Sequence, residues 1–177
     1  FDSELALCTA GVPYARARWI LNPLNLEFYP RMKNMTDVPH VLMVTRLDGL
    51  SPQAVMDMIT TTIHTEKTGL DGKIYLDARG LHGKDDYAAF DQHLRDTADW
   101  LHRHATIDTI LDDTPALPQA PNCPDAALYC GWYSLHNYND SVQWVPGAVG
   151  YHVASYEMPT LHDPKDTGWV PNMLKHG

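Results

Sequence analysis

Two apolar runs stand out in the first half of the chain. Residues 41–45 read Val-Leu-Met-Val-Thr, and residues 73–78 are centred on Ile-Tyr-Leu. A continuous apolar run of this length is typical of a strand that is covered on both faces. The segment between Pro39 and Gly80 is therefore predicted to be strand, helix, strand.

The segment between these two runs has the signals of an amphipathic helix. Ser51 supplies a hydroxyl that can cap the first N–H groups, and Pro52 suits a first helical position, which needs no N–H. Gly69 can close the helix. Apolar residues recur every four positions, which places them on one face: Val55, Ile59 and Ile63.

The same alternation continues towards the C-terminus. Asp85 or Asp86 can cap a second helix that runs to about His104, with an apolar stripe at spacings of three, four and seven residues. Short apolar strands follow at 107–111, 126–130 and 149–154, and residues 169–177 resemble the end of a helix. Strands that alternate with helices predict an α/β domain with a mainly parallel sheet and flanking helices. The last third has fewer helices, which allows a mixed edge.

The predicted organisation is an irregular arm over residues 1–38, punctuated by prolines, and an α/β domain over residues 39–177. The chain has 177 residues and is 44% hydrophobic, which suits one globular core. Its net charge of −9, without a Lys/Arg run, argues against binding to nucleic acid. No apolar window is long enough for a membrane span, and no signal peptide starts the chain.

The three cysteines follow no metal or haem spacing. Cys123 lies between Asn122 and Pro124, in a predicted loop where it could form a disulfide. Cys130 ends an apolar run, as a small buried residue would. One disulfide and an odd thiol remain open among Cys8, Cys123 and Cys130.

Ligands of open α/β sheets bind outside the carboxyl ends of the strands, so the residues there are the site candidates. They are mostly polar, and parallel strands would bring them to one edge. The alternative is that Asp/Arg pairs simply tie loops together. In chain order the candidates are Arg46, Asp48, Asp77, Arg79, Asp112, Asp113, Trp132, Tyr133, Ser134 and Ser155.

Asp112 and Asp113 could hold a divalent cation through carboxylate oxygens, although a turn or capping role is favoured. His152, Ser155 and Asp113 are the residue types of a nucleophilic triad. However, His152 and Ser155 differ in strand parity, and the favoured interpretation of His152 is a hydrogen-bonded core histidine. The other histidines have no metal-ligand spacing, so no metal site is predicted from them.

Trp132 follows Gly131 at the end of a strand. This pattern indicates close backbone approach and a wall of a ligand pocket. A tryptophan that plugs the core is an equal alternative.

Several motifs together resemble an uncharacterised bacterial family that is often found in bacteria with exosortase-type protein sorting. They lie at residues 3–6, 46–49, 66–69, 75–80, 111–113, 128–134 and 146–155. The resemblance covers almost the whole chain and implies secretion or a periplasmic location. It also implies that this chain is a central fragment or a processed form of a longer protein.

The order of these elements is more distantly similar to the gingipain-type cysteine peptidases, which have a caspase-like fold. The catalytic histidine and cysteine of that family have no counterpart here, because Trp132 and Ala154 or Ser155 stand in the matching places. The resemblance therefore implies an inactive or re-purposed relative.

Three functional hypotheses follow. The first is a non-peptidase module, caspase-like or flavodoxin-like, that binds a peptide or protein across its carboxyl edge. The second is a hydrolase in which Asp77, Asp112 or Asp113 acts as a general base or through a divalent metal. The third is a subunit of a larger extracellular assembly.

Overall fold

The computed structural model describes residues 5, 42, 44–118, 122–132, 134–155 and 157–176. The chain divides into two compact units, Phe1–Leu47 and Asp48–Gly177. Every strand described lies in the second unit. No helix in the described ranges is both long and apolar enough to cross a membrane.

The described residues of the second unit form eight elements in chain order. They are α1 (Pro52–Thr68), β1 (Lys73–Ala78), α2 (Asp86–His104), β2 (Asp108–Asp113), β3 (Cys123–Gly131), β4 (Val142–His152), a 3-10 turn (Met158–Thr160) and α3 (Trp169–His176). The four strands form one sheet in the order β2-β1-β3-β4. Each neighbouring pair is parallel, so the α/β prediction is confirmed and no mixed edge is present in this sheet.

Both predicted helix starts are confirmed. The Ser51 hydroxyl accepts the N–H of Ala54 at 3.1 Å, and Pro52 occupies the first turn of α1. Asp85 caps α2 by accepting the N–H of Ala88 at 2.8 Å. Gly69 ends α1 with a φ of 88°, a conformation that side chains disfavour.

The predicted strand at residues 41–45 is wrong for the residues that the structure describes. Leu42, Val44 and Thr45 are outside any strand, and the Leu42 side chain is exposed. A short apolar run fits a buried strand, but the pattern alone does not guarantee the partner strands that would bury it. Arg46 and Asp48 therefore do not follow a strand, whereas Asp77 and Arg79 lie at the end of β1.

The later strands are longer than predicted. β4 begins at Val142 and not at residue 149, so Trp144, Pro146 and Gly147 lie within the strand. Between Trp144 and Val149 the register with β3 shifts, which marks a bulge and accommodates the proline and glycine. Cys123 likewise opens β3 and is buried, so its predicted loop position is wrong.

The two faces of the sheet carry separate cores. α2 covers the face of Ile74, Leu76 and Ala78, together with Trp132. α3 covers the opposite face through Trp169, which is completely buried against Tyr75 and Tyr129 among others. The described residues between β3 and β4 form no helix, and Tyr138 among them packs into this second core.

Candidate functional site

One row of residues crosses the carboxyl end of the sheet. Asp112, Asp77, Gly131 and His152 are in direct register on β2, β1, β3 and β4. Residues in direct register point to the same face of a sheet. The row therefore brings Asp77, Asp112 and His152 to the face that α3 covers.

Asp77 is the buried centre of this row, with 2% of its surface exposed. Tyr129 donates its hydroxyl hydrogen to Asp77 Oδ2 at 2.5 Å. Burial raises the pKa of Asp77 to about 6, the Tyr129 hydrogen bond opposes this rise, and the nearby charges of Asp112 and Asp91 add to it. The Asp77 carboxyl group consequently changes its protonation state near pH 6.

Tyr129 is held for this contact by stacking. Its ring lies parallel to the Trp169 indole, with centroids 5.5 Å apart, and the His152 ring stacks on the same indole at 4.4 Å. Burial raises the pKa of Tyr129 above that of a free phenol, so the hydroxyl keeps its proton and donates to Asp77. Trp169 thereby links α3 to the row.

A small cavity of about 60 Å³ opens beside the row. Its polar lining includes Asp77, Asp112, Asn122 and Tyr129. This volume admits a water molecule or the reacting group of a larger ligand. Asp112 is half-buried here, and its Oδ1 accepts the N–H of Thr114 at 3.1 Å, which fixes the turn after β2.

Asp113 points to the opposite face and ties loops together. It forms an ion pair with Arg95 at 2.9 Å and accepts the N–H of Gly80 at 3.1 Å. Asp113 and His152 therefore lie on opposite faces of the sheet, and Ser155 is exposed beyond the end of β4. The structure does not bring these three residues together as a triad.

Trp132 is held by a buried carboxylate that the sequence interpretation missed. Its indole N–H donates to Asp91 Oδ1 at 2.7 Å, and Asp91 Oδ2 accepts the backbone N–H groups of Arg79 at 3.0 Å and Leu81 at 2.7 Å. Asp91 has no exposed surface. The sequence contained one indication that Asp91 is buried, because Asp91 lies on the apolar stripe of α2 between Tyr87 and Leu94.

The surroundings of Trp132 favour the core-plug interpretation. Tyr87 stacks on it with centroids 5.2 Å apart, and the Arg79 guanidinium carbon lies 4.5 Å from its ring centre. Only 9% of Trp132 is exposed. Trp132 and Arg79 thus stabilise the loop after β1, and neither residue lines the cavity.

The remaining binding candidates are dispersed. Arg46 belongs to the first unit, and Asp48 begins the second, where it lies 3.3 Å from His162. Ser134 forms a turn by donating its hydroxyl hydrogen to the Asn137 carbonyl at 2.7 Å. Tyr133 lies outside the described residues.

The two described thiols are poor nucleophiles. Cys123 and Cys130 are both free. Burial raises the pKa of Cys123 to about 11 and also raises the pKa of Cys130, and the charge of Asp77 adds to both shifts. Because the thiolate is the reactive form, neither is activated for attack at neutral pH. Cys8 lies outside the described residues.

Within the described part of the chain, no group of three or more His, Cys, Asp or Glu residues is arranged to hold a metal ion. No family model, no curated protein and no solved structure matches this chain.

Proposed function

We propose that the carboxyl edge of this sheet is a small-ligand site that works by acid–base chemistry through Asp77. The single observation that carries the proposal is a buried carboxyl group with a pKa of about 6 that lines a cavity at the carboxyl end of a parallel sheet. Acid–base catalysis is most efficient when the pKa of the group is near the working pH. Strongly shifted carboxyl groups in such positions are common at functional sites.

The reaction class that fits is hydrolysis. The ionised Asp77 carboxylate accepts a proton from a water molecule as the water oxygen attacks the substrate. Protonated Asp77 then returns the proton to the leaving group. Asp112, next to Asp77 on β2, places a second carboxylate beside the reacting water.

A thiol mechanism has less support than this one, since both described cysteines are buried with raised pKa values. The caspase-like peptide-binding module, the assembly subunit and the secreted location stay predictions. The same holds for membership of the bacterial family.

A substrate panel tests the proposal. Chromogenic esters, phosphate monoesters, glycosides and peptide amides would be assayed from about pH 4 to about pH 8, the range around the expected pKa. We expect one class to be hydrolysed, with a rate that changes near pH 6. Asp77→Asn, which keeps the shape and removes the titration, should abolish this activity.

Asp99→Asn is the matched control, because Asp99 is an exposed residue of α2. It should leave the rate unchanged. Absence of turnover in every class, or equal turnover in Asp77→Asn and the wild type, would contradict the proposal.

A further inference from the structure

The second half of β4 is an apolar edge strand. β4 is last in the strand order, so β3 is its only strand neighbour in the described sheet. Val149 and Tyr151 of β4, and Val153 directly after its end, lie on one face and are 51%, 60% and 37% exposed. Large apolar side chains at three successive positions of one strand face are unusual on a free surface.

The opposite face of the same segment packs against α3. A side chain on Gly150 would collide with Met173 of α3, and His152 stacks on Trp169 at 4.4 Å. The exposed face is therefore not the result of a loosely packed strand. It continues onto β3, where Leu128 and Cys130 are half-buried in register with Val149 and Tyr151.

This edge lacks the usual protection against pairing. Edge strands commonly carry charged residues, a proline or a bulge. Here Pro146, the bulge and the packing of Thr65 in α1 against Gly147 protect the first half, and no Asp, Glu, Lys or Arg occurs from Val142 to Val153.

The backbone geometry suits the addition of a strand. The N–H of Val153 donates to the Gly131 carbonyl at 2.9 Å, towards β3. Because successive residues of a parallel strand face alternate sides, the N–H and C=O of Gly150 point away from β3. Gly150 is exposed.

The local charge defines the kind of partner. Residues 131–164 contain no Lys or Arg, their exposed acidic residues are Asp140 and Asp163, and the whole chain has a net charge of −9. A second copy of this chain would bring the same negative charge to the edge. A segment with Lys or Arg would instead be attracted to it.

We propose that β4 docks an extended segment of another polypeptide, in which apolar side chains alternate with Lys or Arg. The segment pairs with the β4 backbone near Gly150 and covers Val149, Tyr151 and Val153, a mode of recognition known as strand addition. This binding is independent of the acid–base chemistry proposed for Asp77.

Two synthetic peptides provide the test. In the first, Val alternates with Thr and Lys, and in the second Glu replaces each Lys. We expect the Lys peptide to bind at least about tenfold more tightly than the Glu peptide at low salt, because charge attraction is strongest there. Its binding should slow amide hydrogen exchange at Gly150.

Two variants locate the binding. Tyr151→Lys places a charge on the exposed face and should weaken binding of the Lys peptide by about tenfold or more. Gln143→Lys adds the same charge at an exposed position before the bulge and should have little effect. Asp77→Asn should bind the peptide as the wild type does, which separates this proposal from the acid–base proposal.

Several results would overturn the docking proposal. They are absence of binding by the Lys peptide, equal binding of both peptides, and equal weakening by the Tyr151→Lys and Gln143→Lys variants. Sedimentation equilibrium tests whether the chain pairs with a second copy of itself. A wild-type dimer that Tyr151→Lys converts to a monomer would assign the edge to a second copy of this chain instead.

Discussion

Tyr129 on β3 donates a hydrogen bond to Asp77 on the neighbouring strand β1, over 2.5 Å, and both side chains are buried. This contact joins the centre of the sheet to the candidate cavity. It also joins the cavity to α3, because the Tyr129 ring stacks on Trp169. The protonation of Asp77, the position of Tyr129 and the packing of α3 should therefore respond together.

Removal of the Tyr129 hydroxyl tests this contact. Tyr129→Phe leaves the ring stacking in place and deprives buried Asp77 of its donor. We expect a further rise in the pKa of Asp77, and a loss of about 1–3 kcal/mol in the free energy of unfolding, larger at pH 8 than at pH 5. Urea unfolding measures the loss. Tyr138→Phe is the control, since the Tyr138 hydroxyl donates to exposed Asp140. If Tyr138→Phe lost as much stability as Tyr129→Phe, the account would be contradicted.

Asp77 should also make stability depend on pH. Its folded pKa of about 6 lies above the ordinary value of 3.8. The folded state thus binds the Asp77 proton more tightly than the unfolded state. The stability that this proton contributes is fully present below about pH 4 and is lost as pH rises through about 6. The difference between these two values corresponds to roughly 3 kcal/mol.

The measurement is urea unfolding of the wild type and Asp77→Asn across this pH window. The wild type should lose stability relative to Asp77→Asn as pH rises from about 4 to about 7. A constant difference between the two proteins at every pH would contradict the raised pKa.

Gly131 should be essential for the Tyr129–Asp77 contact. A Cβ at Gly131 would lie 2.6 Å from the Tyr129 hydroxyl and 3.0 Å from the Asp77 Cβ, so one of them must move. We expect Gly131→Ala to cost about 1–3 kcal/mol of stability, as overpacking commonly does. Gly83→Ala is the matched control, because its Cβ would meet no atom closer than 3.7 Å. Equal stability of the two variants in thermal unfolding would refute the close approach.

The link between Asp91 and Trp132 should be a stability determinant without a role in chemistry. Trp132→Phe removes the indole donor and leaves Asp91 Oδ1 buried without it, which should cost about 1–3 kcal/mol. Asp91→Ala removes the acceptor of three N–H groups and should cost more. Circular dichroism during thermal unfolding measures both. A stable Asp91→Ala protein would show that these hydrogen bonds are not needed to hold the loop.

Local signals in the sequence predicted most of the elements. Ser51, Pro52 and Gly69 defined α1, and Asp85 defined the start of α2, because caps and turn residues act within a few positions of themselves. The strand at residues 41–45 was wrong, since the burial of a strand depends on neighbours that a local pattern does not contain. The full length of β4 was missed for a related reason, because its bulge accommodates Pro146 and Gly147.

The candidate site was predicted only in part. Asp77 and Asp112 were named because they lie near strand ends, and parallel register places them side by side. The role of Tyr129 depends on the register of β3 with β1, which no local pattern encodes. The sequence does not distinguish the structural roles of Asp91 and Asp113. Their partners, Trp132 and Arg95, are chosen by packing over long sequence separations.

The most direct test of the central claim is an NMR titration of the Asp77 side-chain carboxyl carbon, assigned by comparison with Asp77→Asn. The account predicts a midpoint near pH 6 in the wild type, and a higher midpoint in Tyr129→Phe. A midpoint near the ordinary value of 3.8, unchanged in Tyr129→Phe, would contradict it.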